Sequence, residues 1–336
     1  MKYLIALLLL FGWTPSELSV TAVEEDPPEI TEWKVPWEDT RPRDPYVAPD
    51  GKVWFCGQKG NYLAYLDPES GEFKQYTIPA GTYPHNLIID KKGMVWYAGN
   101  KNAHIGRLNP KNGKIEQYRM PNPAARDPHT LVFDQKDDIW FSVQGGNFIG
   151  KLEVQNAYVE LIEVPTRGAR PYGIKIDPNN RPWIVLFGTH KIATVDPKTF
   201  KLEEIELPRT DARPRRMEIT SDGMIWYVDY AGGFLGRMHP ETHEFKEWPL
   251  PSGKASKPYG TAKDDQDRIW LIESGPQPNN LVGFDPKTES FFSNKEIPSG
   301  GGTVRYMYFH EPTKEIWFGA DTNTVGRIKI YPEAQS

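Results

Sequence analysis

Apolar and polar residues alternate along most of this chain in short runs of about five residues, the period of a half-buried strand. One run recurs almost unchanged: GMVWYAGN at 93–100, DDIWFSVQ at 137–144, DGMIWYVDY at 222–230, DRIWLIES at 267–274 and KEIWFGAD at 314–321. Its tryptophans are Trp54, Trp96, Trp140, Trp183, Trp226, Trp270 and Trp317, at successive spacings of 42, 44, 43, 43, 44 and 47 residues. Seven copies at one period predict a repeat architecture.

Each copy carries four apolar runs divided by turn residues. A Pro-containing lead-in such as YPHNLIID (83–90) or KPYGTAKD (257–264) precedes the Trp run. A third run follows, HIGRLNP (104–110) or FLGRMHP (234–240), and then a fourth ending in Pro, FKQYTIP (73–79) or FKEWPLP (245–251). No segment has helical periodicity. Four strands per repeat predict an all-β fold, a seven-bladed β-propeller of four-stranded antiparallel blades. The seventh copy stops after VGRIKIY (325–331), and EITEWKVP (29–36) matches a fourth strand without a blade of its own. The N-terminal strand is therefore expected to complete the last blade and close the ring, which removes an open sheet edge. The Trp is expected to fill the space between blades, with its indole N–H bonded to a neighbour.

Composition narrows the function. A net charge of -5 over 336 residues is not that of a nucleic-acid binder. The apolar run from Tyr3 to Trp13 follows Lys2 and is short for a membrane span, with small residues before Ala22. It reads as a signal peptide over 1–22, removed from a single propeller domain over 23–336, so the protein is expected to be periplasmic or secreted, off the membrane once cleaved, and monomeric. Cys56 is the single cysteine, which rules out an internal disulfide, and is expected to be a buried, inert thiol.

Strands of a blade alternate in direction, so the start of the first strand meets the end of the second on one face. The residues after the lead-in Pro are expected to ring the mouth of the central channel there: Tyr46, His85, His129, Tyr172, Arg215, Tyr259 and Arg305. Three residues after each Trp come positions that differ from blade to blade, among them Asp229 and Glu273. Arg170, Arg213, Arg216 and Lys257 add charge to blades four to six, giving a cationic sector suited to an anionic group. The plain alternative is that these cations pair with Asp229, Glu273 and loop carbonyls and only solvate the face. His85 and His129 hold equivalent positions in adjacent blades, with Tyr46 and Asp127 as the nearby candidates for a third metal ligand.

PHNLII, IWFSV and IGRL, as instances of lead-in, Trp strand and third strand, resemble the streptogramin B lyase (virginiamycin B lyase) family over residues 29–331. The resemblance implies Mg²⁺-assisted elimination that opens a cyclic peptide, run by a His leading into blade five, a Glu and a His leading into blade six, and a Glu after the sixth Trp. Those positions here hold Arg215, Lys257, Tyr259 and Glu273, so three of four differ and the Mg²⁺ ligands are mostly not kept. Three readings stay open. The first is a lyase acting on an anionic small molecule, glycan or peptide, with Tyr259 or His129 as base, Glu273 orienting, and Arg215 and Arg305 neutralising a carboxylate. The second is a non-catalytic ligand-binding propeller using the same cations. The third is a structural propeller within an envelope complex.

Overall fold

The structure, a computed structural model, describes residues 28–331, so the signal-peptide expectation for 1–22 lies outside the described residues. Seven four-stranded antiparallel sheets form the blades, and the one helical element among the described residues is a 3-10 turn at Gly253–Ala255. The innermost strands are Pro42–Val47, Leu87–Ile89, Pro128–Phe133, Pro171–Ile176, Pro214–Ile219, Pro258–Lys263 and Val304–His310. No described helix is long and apolar enough to cross a membrane.

The repeat motif has a steric cause. The aromatic residue after the Trp lies against the glycine of the third strand: a Cβ at Gly106 would collide with the ring of Tyr97, and one at Gly150 with Phe141. Only glycine leaves room there. The Trp side chains face the neighbouring blade, as Trp96 does among Ile88, Leu131, Ile139 and Phe141. Burying such apolar surface between sheets is the main favourable term in the fold. In four blades the indole N–H donates to the residue six positions earlier: Trp96 to Asp90 at 3.0 Å, Trp183 to Asp177 at 3.0 Å, Trp226 to Thr220 at 3.1 Å and Trp270 to Asp264 at 2.9 Å.

The ring closes as the sequence predicts. Glu29–Lys34 pairs antiparallel with Thr324–Lys329 and supplies the outer strand of blade seven. Trp33 stacks on Trp317 with ring centroids 5.7 Å apart. Asn323 then ties the chain beyond the strand, its amide donating to the carbonyls of Val35 at 3.2 Å and Trp37 at 2.7 Å.

The register corrects one position. Pro42, not Pro45, lies opposite Gly57, as Pro128 lies opposite Val143 and Pro258 opposite Glu273. The mouth residue of blade one is therefore Arg43. Tyr46 pairs with Trp54 further along the strand, stacked on Tyr308 at 4.2 Å and away from the mouth. Arg41, Tyr83, Arg170 and Lys257, each immediately before the lead-in Pro, all have φ between 45° and 54°; Asp44, before Pro45, has φ 51°, so the pairing alone tells the two prolines apart. Left-handed backbone at a bulky residue is strained, and here it recurs around one rim.

Candidate functional site

Pairing between the first two strands slips just after the lead-in Pro in blades three, four, five and six. Such bulges re-aim side chains. Here they accompany a ring of groups at the channel mouth. His85 and His129 lie with ring centroids 3.5 Å apart, and His129 lies 4.0 Å from Tyr172. The phenol oxygens of Tyr172 and Tyr259 hydrogen-bond to each other. Above them sits Arg215, its guanidinium carbon 3.6 Å from the Tyr259 ring centre, 4.3 Å from Tyr230 and 4.5 Å from Phe187. All four rings below Arg215, those of His85, His129, Tyr172 and Tyr259, are buried.

A second layer holds this one together. The side chain of Arg216 crosses the channel, donating to Thr130 Oγ1 at 3.1 Å and to the Arg305 carbonyl at 3.2 Å, with a guanidinium nitrogen 3.6 Å from Asp44. Arg43 donates to Asp44 Oδ1 at 3.0 Å, and Asn86 to Asp44 Oδ2 at 3.0 Å. Asp44 is wholly buried. Arg216 is thus a cross-tie between blades and not a free rim cation. Arg43 is the residue that the sequence reading missed. Its signal was the phase of the repeat, hidden by two prolines three residues apart.

These charges set the protonation states. Burial, then the charges of Arg43, the His129 ring, Arg216 and Arg305, holds His85 well below the usual imidazole range. Burial and then Arg216, Arg43, Arg215 and Arg170 do the same to His129. Both rings are neutral, and His85 Nδ1 and His129 Nε2 are buried without a hydrogen bond. Burial pushes both phenols up. At Tyr172 the guanidinium groups of Arg215, Arg216 and Arg43, with the bond from Tyr259, outweigh burial and leave that phenol below its ordinary 10. Tyr259 is pushed up to about 12, by burial and then by the charge of Tyr172. Of the pair, Tyr172 is the phenol that the surrounding guanidinium groups favour as the anion, and Tyr259 the one that burial favours as neutral.

The two carboxylates expected among the cations are spent elsewhere. Asp229 accepts from the Arg209 guanidinium at 2.6 Å and from the Arg213 backbone N–H at 2.8 Å. Glu273 is fully buried, with one oxygen taken by the Ser252 N–H at 2.9 Å and the other by its hydroxyl. It ties a loop in place and orients nothing at the mouth. Arg305 is neutralised by Asp321. The side chain of Arg213 donates to the carbonyls of Thr210 and Ala212. Among the described residues, the side chains of Arg170, Arg213, Arg215 and Lys257 form no ion pair with a carboxylate. Pairing with Asp229 and Glu273 therefore does not account for the cationic sector.

The donor set does not fit Mg²⁺. A hard cation wants oxygen ligands, and the corresponding positions present a guanidinium, an ammonium, a phenol bonded to another phenol, and a carboxylate already bonded to Ser252. Nor do His85 and His129 gather a third ligand: Tyr46 is elsewhere, and Asp127 accepts from the N–H groups of Gly145 at 2.6 Å and Gly146 at 2.9 Å. Among the described residues no three His, Cys, Asp or Glu side chains cluster. Cys56 is buried and its thiol is pushed well up, first by burial.

Comparison with known proteins places the fold. The sequence model of the virginiamycin B lyase family matches residues 20–195 and 156–335. A streptogramin B lyase structure is 25% identical with a TM-score of 0.81, over 91% of this chain and 99% of that one. A catalytically inactive virginiamycin B lyase from Staphylococcus aureus, solved with quinupristin, is 24% identical at TM-score 0.81, over 90% of this chain and 99% of its own. The hydrazine synthase of Kuenenia stuttgartiensis shares the fold at 11% identity and TM-score 0.72, over 87% and 96%. No curated protein matches the chain by sequence.

Proposed function

This chain belongs to the virginiamycin B lyase family, and from that premise we propose that it catalyses an elimination on a carboxylate-bearing substrate through its own residues rather than through the family's metal. The single observation that carries this reading is the hydrogen-bonded pair Tyr172–Tyr259 against Arg215, a guanidinium without a carboxylate partner among the described residues. Arg215 and Lys257 bind the substrate carboxylate, which acidifies the adjacent C–H. Binding draws Arg215 off the Tyr259 ring and opens the pair. The Tyr172 phenolate takes the proton, the C–H electrons form a C=C bond, and the leaving group departs from the next carbon. Tyr259 protonates that leaving oxygen, and the proton on Tyr172 then passes to Tyr259 and resets the pair. Neutral His129, packed at a tilt against Tyr172, keeps water from that side of the phenol.

A second reading has its own support. Tyr172 and Tyr259 are only 3% and 2% exposed, which suits a propeller that holds an anionic ligand against Arg215, Arg170 and Lys257 without turnover. One experiment separates the two. The protein is incubated with uronate oligosaccharides and cyclic depsipeptides, quinupristin included, and absorbance of a new conjugated double bond is followed alongside calorimetric binding. The lyase reading expects absorbance that is lost in Tyr172→Phe while binding persists. Binding without any absorbance, abolished in Arg215→Gln with Lys257→Gln, selects the second reading. Neither signal rejects both. Export belongs to the same proposal, and N-terminal sequencing of the mature protein is expected to begin at Val23.

A further inference from the structure

Blade one departs from the repeat on the face opposite the mouth. Four other blades place an Asp or Thr six residues before the Trp as acceptor for its indole N–H; blade one has Ala48. Five other blades also pair the Trp with a cation that lies over its ring, Arg268 on Trp270 at 5.5 Å and, from the third strand, Arg107 on Trp96 at 5.3 Å, Lys151 on Trp140 at 5.8 Å, Arg237 on Trp226 at 5.8 Å and Arg327 on Trp317 at 5.9 Å. Blade one has Tyr65 in that place. The N–H groups of Trp140 and Trp317 lack a partner but are sealed in the core. That of Trp54 also has no acceptor among the described residues, and Trp54, though 3% exposed, lines a cleft.

That cleft holds about 490 Å³ between blades one and two. Its wall is a cluster of rings, with Trp54 at 5.3 Å from Tyr65 and 5.0 Å from Tyr76. Its rim carries four lysines, Lys52, Lys91, Lys92 and Lys111, against one carboxylate, Asp50. Lys52 pairs with Asp50 and Lys91 with Asp137, while Lys92 and Lys111 have no ion pair among the described residues. An aromatic wall receives the apolar face of a pyranose ring, and unpaired ammonium groups receive an anionic substituent. We propose that this cleft binds an acidic saccharide, one whose ring carries a carboxylate or a sulfate. The site stands apart from the channel mouth and does not rest on the lyase reading.

The test is calorimetric titration of the full protein with tri-galacturonate, with a sulfated disaccharide and with neutral maltotriose. Saturable binding is expected for at least one acid, with the neutral sugar weaker by about tenfold or more. Which acid binds tells carboxylate from sulfate. Lys92→Gln with Lys111→Gln, both on exposed side chains, is expected to weaken binding about tenfold and flatten its salt dependence. Ala48→Asp restores the acceptor found in other blades and is expected to weaken binding while leaving the melting temperature unchanged or higher. Arg170→Gln with Lys257→Gln at the mouth is expected to leave it unaltered. Equal binding of maltotriose, no saturable binding of either acid, unchanged affinity in the lysine variant, or affinity that follows the mouth variant would each overturn the proposal.

Discussion

Tyr172 and Tyr259 are chemically identical side chains told apart by their neighbours, and the difference is measurable. If the Tyr172 phenolate is the base, the rate rises with pH as that phenol ionises, with its midpoint below the ordinary 10. Arg215→Gln removes the positive charge that acts most strongly on that phenol and is expected to move the midpoint upward. Tyr172→Phe is expected to cut kcat by about a hundredfold or more, the usual worth of a positioned base. A midpoint that stays put in Arg215→Gln would reject the assignment. The two buried imidazoles make a separate prediction about stability. Their folded pKa values lie well below the ordinary 6.5. As pH falls through 6.5 the unfolded chain takes up protons that the fold refuses, so stability is lost downward from there, at roughly 1 kcal/mol per pH unit for each ring. Urea unfolding at about pH 7.5 and about pH 5.5 measures this loss. It is expected to shrink in His85→Gln with His129→Gln, and an equal loss in that variant contradicts it.

At the scale of elements, the closing strand holds the ring through backbone pairing, the Trp33–Trp317 stack and the Asn323 tie. Trp33→Ala is expected to cost about 2 kcal/mol, less than a fully buried Trp because the ring is partly exposed. Removing the strand altogether leaves Thr324–Lys329 as an unpaired edge, and light scattering is expected to report association. A truncated protein that stays monomeric with an unchanged melting temperature would contradict this account. The strand was legible beforehand because its pattern matches the fourth run of six other repeats. So were the blades, since packing imposes the same glycine under the same aromatic ring in four of them, at Gly106, Gly150, Gly236 and Gly326. The site was only half legible. Spacing brought Arg215, Tyr172, Tyr259, His85 and His129 to one opening, because repeat phase alone fixes where those positions fall. It misplaced Tyr46, because PRDP offers two prolines and only the pairing of Pro42 with Gly57 selects between them. It misjudged Glu273, Asp229 and Arg305, because nothing in a repeat tells whether a carboxylate faces the channel or bonds to Ser252, Arg209 or a neighbour such as Asp321.

The whole molecule carries a net charge of -5, yet it concentrates unpaired cations at one mouth. At physiological salt the screening length is about 8 Å, so a ligand near that mouth responds to Arg170, Arg213, Arg215 and Lys257 and hardly to the acidic surface beyond. An anionic ligand is therefore steered there, and steering acts on the association rate more than on the dissociation rate. Raising salt from about 0.05 M to about 0.5 M is expected to slow association about tenfold in stopped-flow measurements and to change dissociation little. Arg170 and Lys257 stand on left-handed backbone just before a proline, with no ion pair to lose. Replacing both by Gln is therefore expected to flatten the salt dependence while leaving the unfolding free energy within about 0.5 kcal/mol. A methyl ester of the same ligand separates charge from shape: it is expected to bind without salt dependence and more weakly. If the ester and the acid associate equally fast at low salt, the cationic sector does not steer, and recognition at this mouth rests on the rings of Phe187 and Tyr230 instead.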